Sequence, residues 1–241
     1  MRLNKYISST GICSRREADA WIERGRVTVN GRRADLGTQV SATDEVRVNG
    51  RPVAVRRKNH IYIALNKPPG ITCTTDRHVA GNIIDFIKHE TRIFPIGRLD
   101  KESEGLILLT SDGEIVNKIL RAENHHEKEY VVTVDRPITD EVLASLSRGV
   151  RLPELNVTTR RCKTGRISAR TFRIILVQGL NRQIRRMCEI FGYRVNRLQR
   201  IRIINIKIDG LKSGHWRNLR PTELRALLSS TTTPTNDKYR T

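Results

Sequence analysis

From residue 61 to about residue 228 the chain alternates short strand-like runs with short helix-like ones, and this alternation constrains the fold more than any other feature. Strand signals, β-branched and apolar, occur at residues 61–65, 106–109, 130–134, 172–177 and 195–208. Helical periodicity occurs near residues 82–89, 114–120, 140–147 and 182–191. Apolar runs this short cannot span a bilayer. The expected fold class is therefore α+β, with a mixed, largely antiparallel sheet over residues 59–228.

Residues 1–58 read as a separate, smaller unit. Ser14 with Glu17 three positions on forms a capping-box pattern, and the helix it opens runs to about Arg24, where Gly25 is placed to end it. Leu3, Tyr6 and Ile7 lie at helical spacing just upstream. Val27 and Val29 precede Asn30-Gly31, and Val46 and Val48 precede Asn49-Gly50, so each pair reads as a strand ending in a tight turn. Residues 55–59 form a charged linker without apolar periodicity, and the Ser/Thr-rich tail 229–241 is expected to be disordered.

Lys and Arg total 45 against 25 acidic residues, a net charge of +20, which favours a polyanionic partner over a small neutral ligand. The charge is spread through the chain: residues 1–58 carry 13 Lys and Arg against 6 acidic residues, with Lys5, Arg15, Arg16, Arg24 and Arg26 as candidate RNA contacts. The N-terminus has neither the apolar core nor the cleavage site of a signal peptide, so a cytoplasmic location is expected and no membrane partner. Cys13, Cys73, Cys162 and Cys188 show no zinc or redox spacing, and the adjacent His125 and His126 are not at metal-ligand spacing. No metal is expected.

Asp100 ends the segment Gly97-Arg98-Leu99-Asp100, which puts a carboxylate on a connection between two core elements. Position alone is equally explained by a turn residue. A second basic element adds weight: seven Arg and one acidic residue lie between Gln178 and Arg202, a density suited to phosphate contact. Ile184, Met187, Cys188 and Phe191 form the buried stripe of its helix, which places Arg182 and Arg185 on the opposite side. Lys67 before Pro68-Pro69-Gly70 reads as part of a rigid turn after a core strand.

The stretch from Arg2-Leu3-Asn4-Lys5-Tyr6 to Val29-Asn30-Gly31 resembles the alpha-L RNA-binding motif. Downstream come Leu65-Asn66-Lys67-Pro68-Pro69-Gly70, Gly97-Arg98-Leu99-Asp100 with Ser103-Glu104-Gly105-Leu106, Glu127-Lys128-Glu129-Tyr130, and Asn181-Arg182-Gln183-Ile184-Arg185-Arg186-Met187. In that order they resemble the RsuA-type pseudouridine synthases. Gln178-Gly179-Leu180-Asn181 is more similar to a large-subunit branch of that family than to members with Arg after the glycine.

The resemblance implies a small RNA-binding domain followed by a pseudouridine synthase domain that isomerises uridine without a cofactor. Ribosomal RNA, large-subunit RNA above all, is the implied substrate and a monomer the expected working form; whether transfer RNA is modified as well stays open at the level of sequence. It implies Asp100 as the essential carboxylate, Tyr130 as the active-site tyrosine and Arg185 as the basic residue that pairs with Asp100. Arg98 is implied beside a flipped-out nucleotide, and Arg182 and Arg186 on RNA. A non-catalytic ribosome-binding or assembly protein explains the charge equally well but not the joint occurrence of Asp100, Tyr130 and Arg185. A DNA-binding regulator finds no recognition helix with a dimer element.

Overall fold

A computed structural model describes residues 1–54, 60–120 and 125–232, and the chain divides into two units, Met1–His60 and Ile61–Thr241. In the first, the capping box closes in both directions: the Glu17 amide donates to Ser14 Oγ at 3.1 Å and the Ser14 amide to Glu17 Oε2 at 2.6 Å. Helices α1 (Leu3–Ser9) and α2 (Arg15–Glu23) precede strands β1 (Val27–Val29), β2 (Arg32–Arg33), β3 (Val46–Val48) and β4 (Arg51–Pro52), ordered β2-β1-β3-β4. Asn30-Gly31 and Asn49-Gly50 take positive φ throughout, which is how each hairpin reverses in two residues. Leu3, Ile7, Ala18, Ile22, Val27 and Val46 form the core. Arg15, Arg16, Arg24 and Arg26 stay exposed and Lys5 half-buried.

In chain order the second unit contains β5 (Tyr62–Lys67), α3 (Ile83–Ile87), β6 (Phe94–Ile96), β7 (Glu104–Thr110), α4 (Gly113–Leu120), β8 (Lys128–Val134) and α5 (Asp140–Arg148). There follow β9 (Arg151–Leu152), β10 (Val157–Thr158), β11 (Lys163–Ser168), β12 (Thr171–Leu176), α6 (Gln183–Ile190), β13 (Val195–Ile203), β14 (Ile206–Lys207), β15 (Trp216–Asn218) and α7 (Pro221–Thr232). A nine-stranded sheet runs β11-β12-β8-β13-β7-β5-β15, with β6 on β7 and β14 on β13. β13 and β7 pair in parallel, and the other pairings in this sheet are antiparallel.

Strands β5 and β7 are buried on both faces, which is why they read as continuous apolar runs. Tyr62, Ala64, Leu106 and Leu108 face Ile115 and Ile119 of α4 and Leu227 of α7. Ile63, Leu65, Ile107 and Leu109 face Ile83 and Ile87 of α3. The other half of the sheet buries Val132, Phe172 and Ile174 against Leu143 and Leu146 of α5 and Ile184 and Met187 of α6.

Two expectations change. The continuous strand over 195–208 is a hairpin: Ile204 takes φ +53° and β14 folds back on β13, pairing Ile203 with Ile206. The apolar residues on either side conceal a turn lacking Gly or Pro. Residues 229–232 are helical rather than disordered, because α7 continues to Thr232 with Leu227 packed in the core. Residues 233–241 and the linker 55–59 lie outside the described residues.

Candidate active site

Asp100 lies in the connection between β6 and β7, and that connection is pinned from three sides. The buried Lys67 ammonium at the end of β5 donates to the carbonyls of Pro68, Ile71 and Lys101 at 3.0, 2.9 and 3.3 Å. Gly70, at the turn after Pro68-Pro69, donates its amide to the Lys101 carbonyl at 2.7 Å. The Leu99 amide donates to Cys73 Sγ at 3.4 Å, and the Ser103 amide to the Asp100 carbonyl at 3.1 Å. The Pro-Pro-Gly turn thus positions the carboxylate loop, a role the sequence did not reveal. Burial lowers the Lys67 pKa, while the negative charges of Asp100, Glu102 and Glu104 oppose the shift. Burial raises that of the Cys73 thiol.

A cavity of about 950 Å³ opens beside this loop. Asp100, Arg98, Tyr130, Arg182, Lys128 and Arg200 all line it, with Leu198 and Ile203 among the apolar walls. The Asp100 carboxylate forms no ion pair or hydrogen bond among the described residues, and so faces the cavity free to meet a ligand. Tyr130 projects from β8 and pairs across the sheet with Arg200 of β13, whose guanidinium carbon is 6.0 Å from the phenol ring centre.

The expected Arg185–Asp100 pair is absent among the described residues, and Arg185 does not sit on an exposed face. It is buried at 8% exposure, because α6 packs both Ile184 and Arg185 inward. Its Nη1 donates to the Val195 carbonyl at 2.9 Å and its Nη2 to Ser103 Oγ at 3.4 Å, leaving Nε buried without a partner. Arg185 therefore stands behind the Asp100 turn and holds it through Ser103. Arg186 is engaged with Glu154 and with Asn181, whose carbonyl accepts from Nε at 3.1 Å. Arg182 pairs with Glu102 at 3.4 Å, while Arg98 is exposed at the cavity edge.

Lys128 and Arg200 are the cavity residues that sequence reasoning missed. Lys128 stood inside a quoted motif and Arg200 inside the Arg-rich stretch, but only the strand pairing reveals that both face inward. Among the described residues no group of three His, Cys, Asp or Glu side chains is arranged to hold a metal. No described helix is long and apolar enough to cross a membrane.

Residues 61–190 match the RNA pseudouridylate synthase family and residues 1–46 the S4 domain. The chain is 58% identical over 224 residues to the dual-specificity RNA pseudouridine synthase RluF of Salmonella typhi, covering 92% of this chain and 77% of that protein. It is 36% identical over 233 residues to the ribosomal large subunit pseudouridine synthase B of Bacillus subtilis, covering 94% and 95%. A crystal structure of a pseudouridylate synthase superposes with a TM-score of 0.71 at 27% identity, covering 94% of this chain and 99% of the other.

Proposed function

The chain belongs to the RNA pseudouridylate synthase family and is an enzyme that isomerises uridine to pseudouridine in RNA, and from that premise we propose that it does so in large-subunit ribosomal RNA with Asp100 as the essential carboxylate. The observation that carries the residue assignment is the unpartnered Asp100 carboxylate in a cavity shared with Tyr130. The N-glycosidic bond breaks, the uracil turns within the pocket, and a bond forms from its carbon 5 to carbon 1′ of the ribose. No external group is consumed. An ionised Asp100 meets the sugar or base as carbon 1′ loses its partner, and the Tyr130 ring offers a face on which the uracil stacks. Arg185 acts by holding Ser103 and Val195, and with them the carboxylate loop.

A base inside a duplex is out of reach, so the target nucleotide flips into the cavity, with Arg98 at the edge to fill the space it leaves. Arg182 and Arg186, together with Lys5, Arg15, Arg16, Arg24 and Arg26 of the S4 unit, meet the phosphates. The RluF relatives are dual-specificity RNA pseudouridine synthases, which supports a second RNA substrate here, and transfer RNA is the candidate. The protein works as a monomer in the cytoplasm, where ribosomal RNA is found. The decisive experiment maps pseudouridine in ribosomal and transfer RNA from cells lacking the protein and re-expressing wild type or Asp100→Asn. Loss of a large-subunit site that wild type restores and the variant does not is the expected result. Restoration by Asp100→Asn overturns the assignment.

A further inference from the structure

Two cations lie buried in the active cavity with no negative partner among the described residues. Lys128 is 9% exposed and Arg200 4%. Lys128 Nζ donates to the His126 carbonyl at 3.0 Å and Arg200 Nε to the Leu106 carbonyl at 2.7 Å. Arg200 Nη2 is buried and has no hydrogen-bond partner. Neither residue forms an ion pair among the described residues, and the acidic neighbours of Lys128 are committed elsewhere: Glu127 to Arg202 and Lys163, Glu129 to Arg202 and Arg173. Burial first, then the Arg200 charge, pushes the Lys128 pKa down to about 8.

Uncompensated buried charge is costly. Two such groups lining a cavity imply an anion that arrives with the ligand or forms from it. Their placement selects which. Lys128 and Tyr130 are two residues apart on β8 and so share a face, and Arg200 stands opposite Tyr130 on β13. Both cations therefore border the ring-stacking surface of Tyr130, deep among apolar walls that include Leu198 and Ile203, rather than the exposed edge where Arg98 lies. A hydrated backbone phosphate suits the edge, whereas a flat ring with delocalised charge suits the interior.

We infer that Lys128 and Arg200 form a cationic seat that holds the uracil ring as an anion between its departure from the sugar and its return. The inference rests on reading the Asp100 cavity as the seat of the reaction. The bond from N1 to carbon 1′ breaks with its electron pair on the ring, where the charge spreads over N1 and the two carbonyl oxygens. That pair returns in the bond from carbon 5 to carbon 1′. The carbon 5 proton then leaves to a base, and N1 ends protonated. Cations fixed beside the carbonyl oxygens favour the charged ring over the neutral one from which it forms, which is where stabilisation accelerates the step.

The test uses the full chain and single-turnover reactions on RNA carrying either uridine or 5-fluorouridine at the target position. Fluorine makes the ring anion less basic, so its departure needs less help. Arg200→Met and Lys128→Met are expected to slow glycosidic cleavage of uridine by about 100-fold, the scale of one lost oxyanion donor. On 5-fluorouridine the loss should be at least several-fold smaller, with RNA affinity nearly unchanged, and Arg200→Lys should recover part of the rate. Equal losses on the two substrates overturn the inference, as does a weaker salt dependence of RNA binding in the variants, which would assign the pair to a phosphate. If Arg200→Met fails to fold, Lys128→Met decides alone, since it removes a buried charge with no ion-pair partner among the described residues and gives up a single hydrogen bond, to the His126 carbonyl. Asp100→Asn run alongside keeps the two readings apart: turnover by that variant means the cavity assignment has failed, whereas an inactive Asp100→Asn with uniform Lys128 and Arg200 losses means the anion seat alone has failed.

Discussion

A methyl group on Gly105 would lie 2.3 Å from the carbonyl oxygen and 2.7 Å from the amide nitrogen of Arg200. Gly105 follows Glu104 in the two-residue parallel pairing of β7 with β13, where it stands opposite Arg200. Its φ of +102° is also closed to ordinary side chains. The loop bearing Asp100 thus reaches the strand bearing Arg200 through a contact that only glycine permits. Gly105→Ala should cost on the order of 3 kcal/mol or more, since backbone rather than a movable side chain must yield. Urea denaturation measures the loss, and a variant as stable as wild type would disprove the constraint.

Lys128 makes a prediction of opposite sign. Its folded pKa of about 8 lies below the ordinary lysine value of 10.5, so the folded state binds this proton less tightly than the unfolded chain. The group therefore destabilises the fold fully below about pH 8, and the cost is relieved as pH rises from there toward 10.5. Lys128→Met should stabilise the protein at pH 7 by roughly 1–3 kcal/mol, and the gain should shrink by pH 9.5. Urea midpoints at the two pH values give the comparison, and a gain that grows with pH would contradict the shift. A variant that is more stable and less active marks a residue kept for the reaction.

Arg185 tests how the carboxylate loop is held. Its two terminal nitrogens reach in two directions, to Val195 and to Ser103. A lysine ammonium in its place cannot serve both, so Arg185→Lys should lose about 100-fold in turnover through a displaced loop and about 1–3 kcal/mol through unmade buried bonds. Arg186→Lys, whose partners Glu154 and Asn181 lie at the surface, should change stability by about 0.5 kcal/mol or less. Single-turnover rates and urea midpoints for the pair give the result, and equal turnover in Arg185→Lys and wild type would remove Arg185 from the site.

What was legible in the sequence follows from how local each signal is. The capping box at Ser14 and the Asn-Gly turns at residues 30 and 49 are set by neighbours in the chain, and all three form as the sequence suggests. The runs in β5 and β7 announce burial on both faces. The hairpin at Ile204-Asn205 was hidden because the turn has no Gly or Pro and Asn205 sits alone between Ile203-Ile204 and Ile206. Helical spacing put Arg185 opposite the apolar stripe, yet α6 buries it, because a guanidinium able to satisfy a carbonyl and a hydroxyl is tolerated inside. Lys67 read as part of a rigid turn, Lys128 stood inside a quoted motif without a role, and Arg200 was one arginine of a basic stretch. Their importance comes from pairings up to 94 residues apart, as between Arg200 and Leu106, and such pairings leave no local mark.

The S4 unit yields the remaining prediction, which concerns binding rather than chemistry. Arg15, Arg16, Arg24 and Arg26 are exposed and form no ion pair among the described residues, so no internal partner must be given up when they meet phosphate. Each phosphate they neutralise releases condensed counterion and adds roughly 0.7–0.9 to the slope of log affinity against log salt. Replacing all four with Gln leaves the core of Leu3, Ile7, Ala18, Ile22 and Val27 untouched, so the unit should stay folded. The variant should bind structured RNA more weakly at low salt and show a slope shallower by about 3 to 4. Its single-turnover rate at saturating RNA should match wild type, because Asp100 and its cavity lie wholly in the other unit. Titrations at several salt concentrations give the slope. An unchanged slope would show that these arginines do not touch the RNA and that the second unit's own basic groups carry the binding.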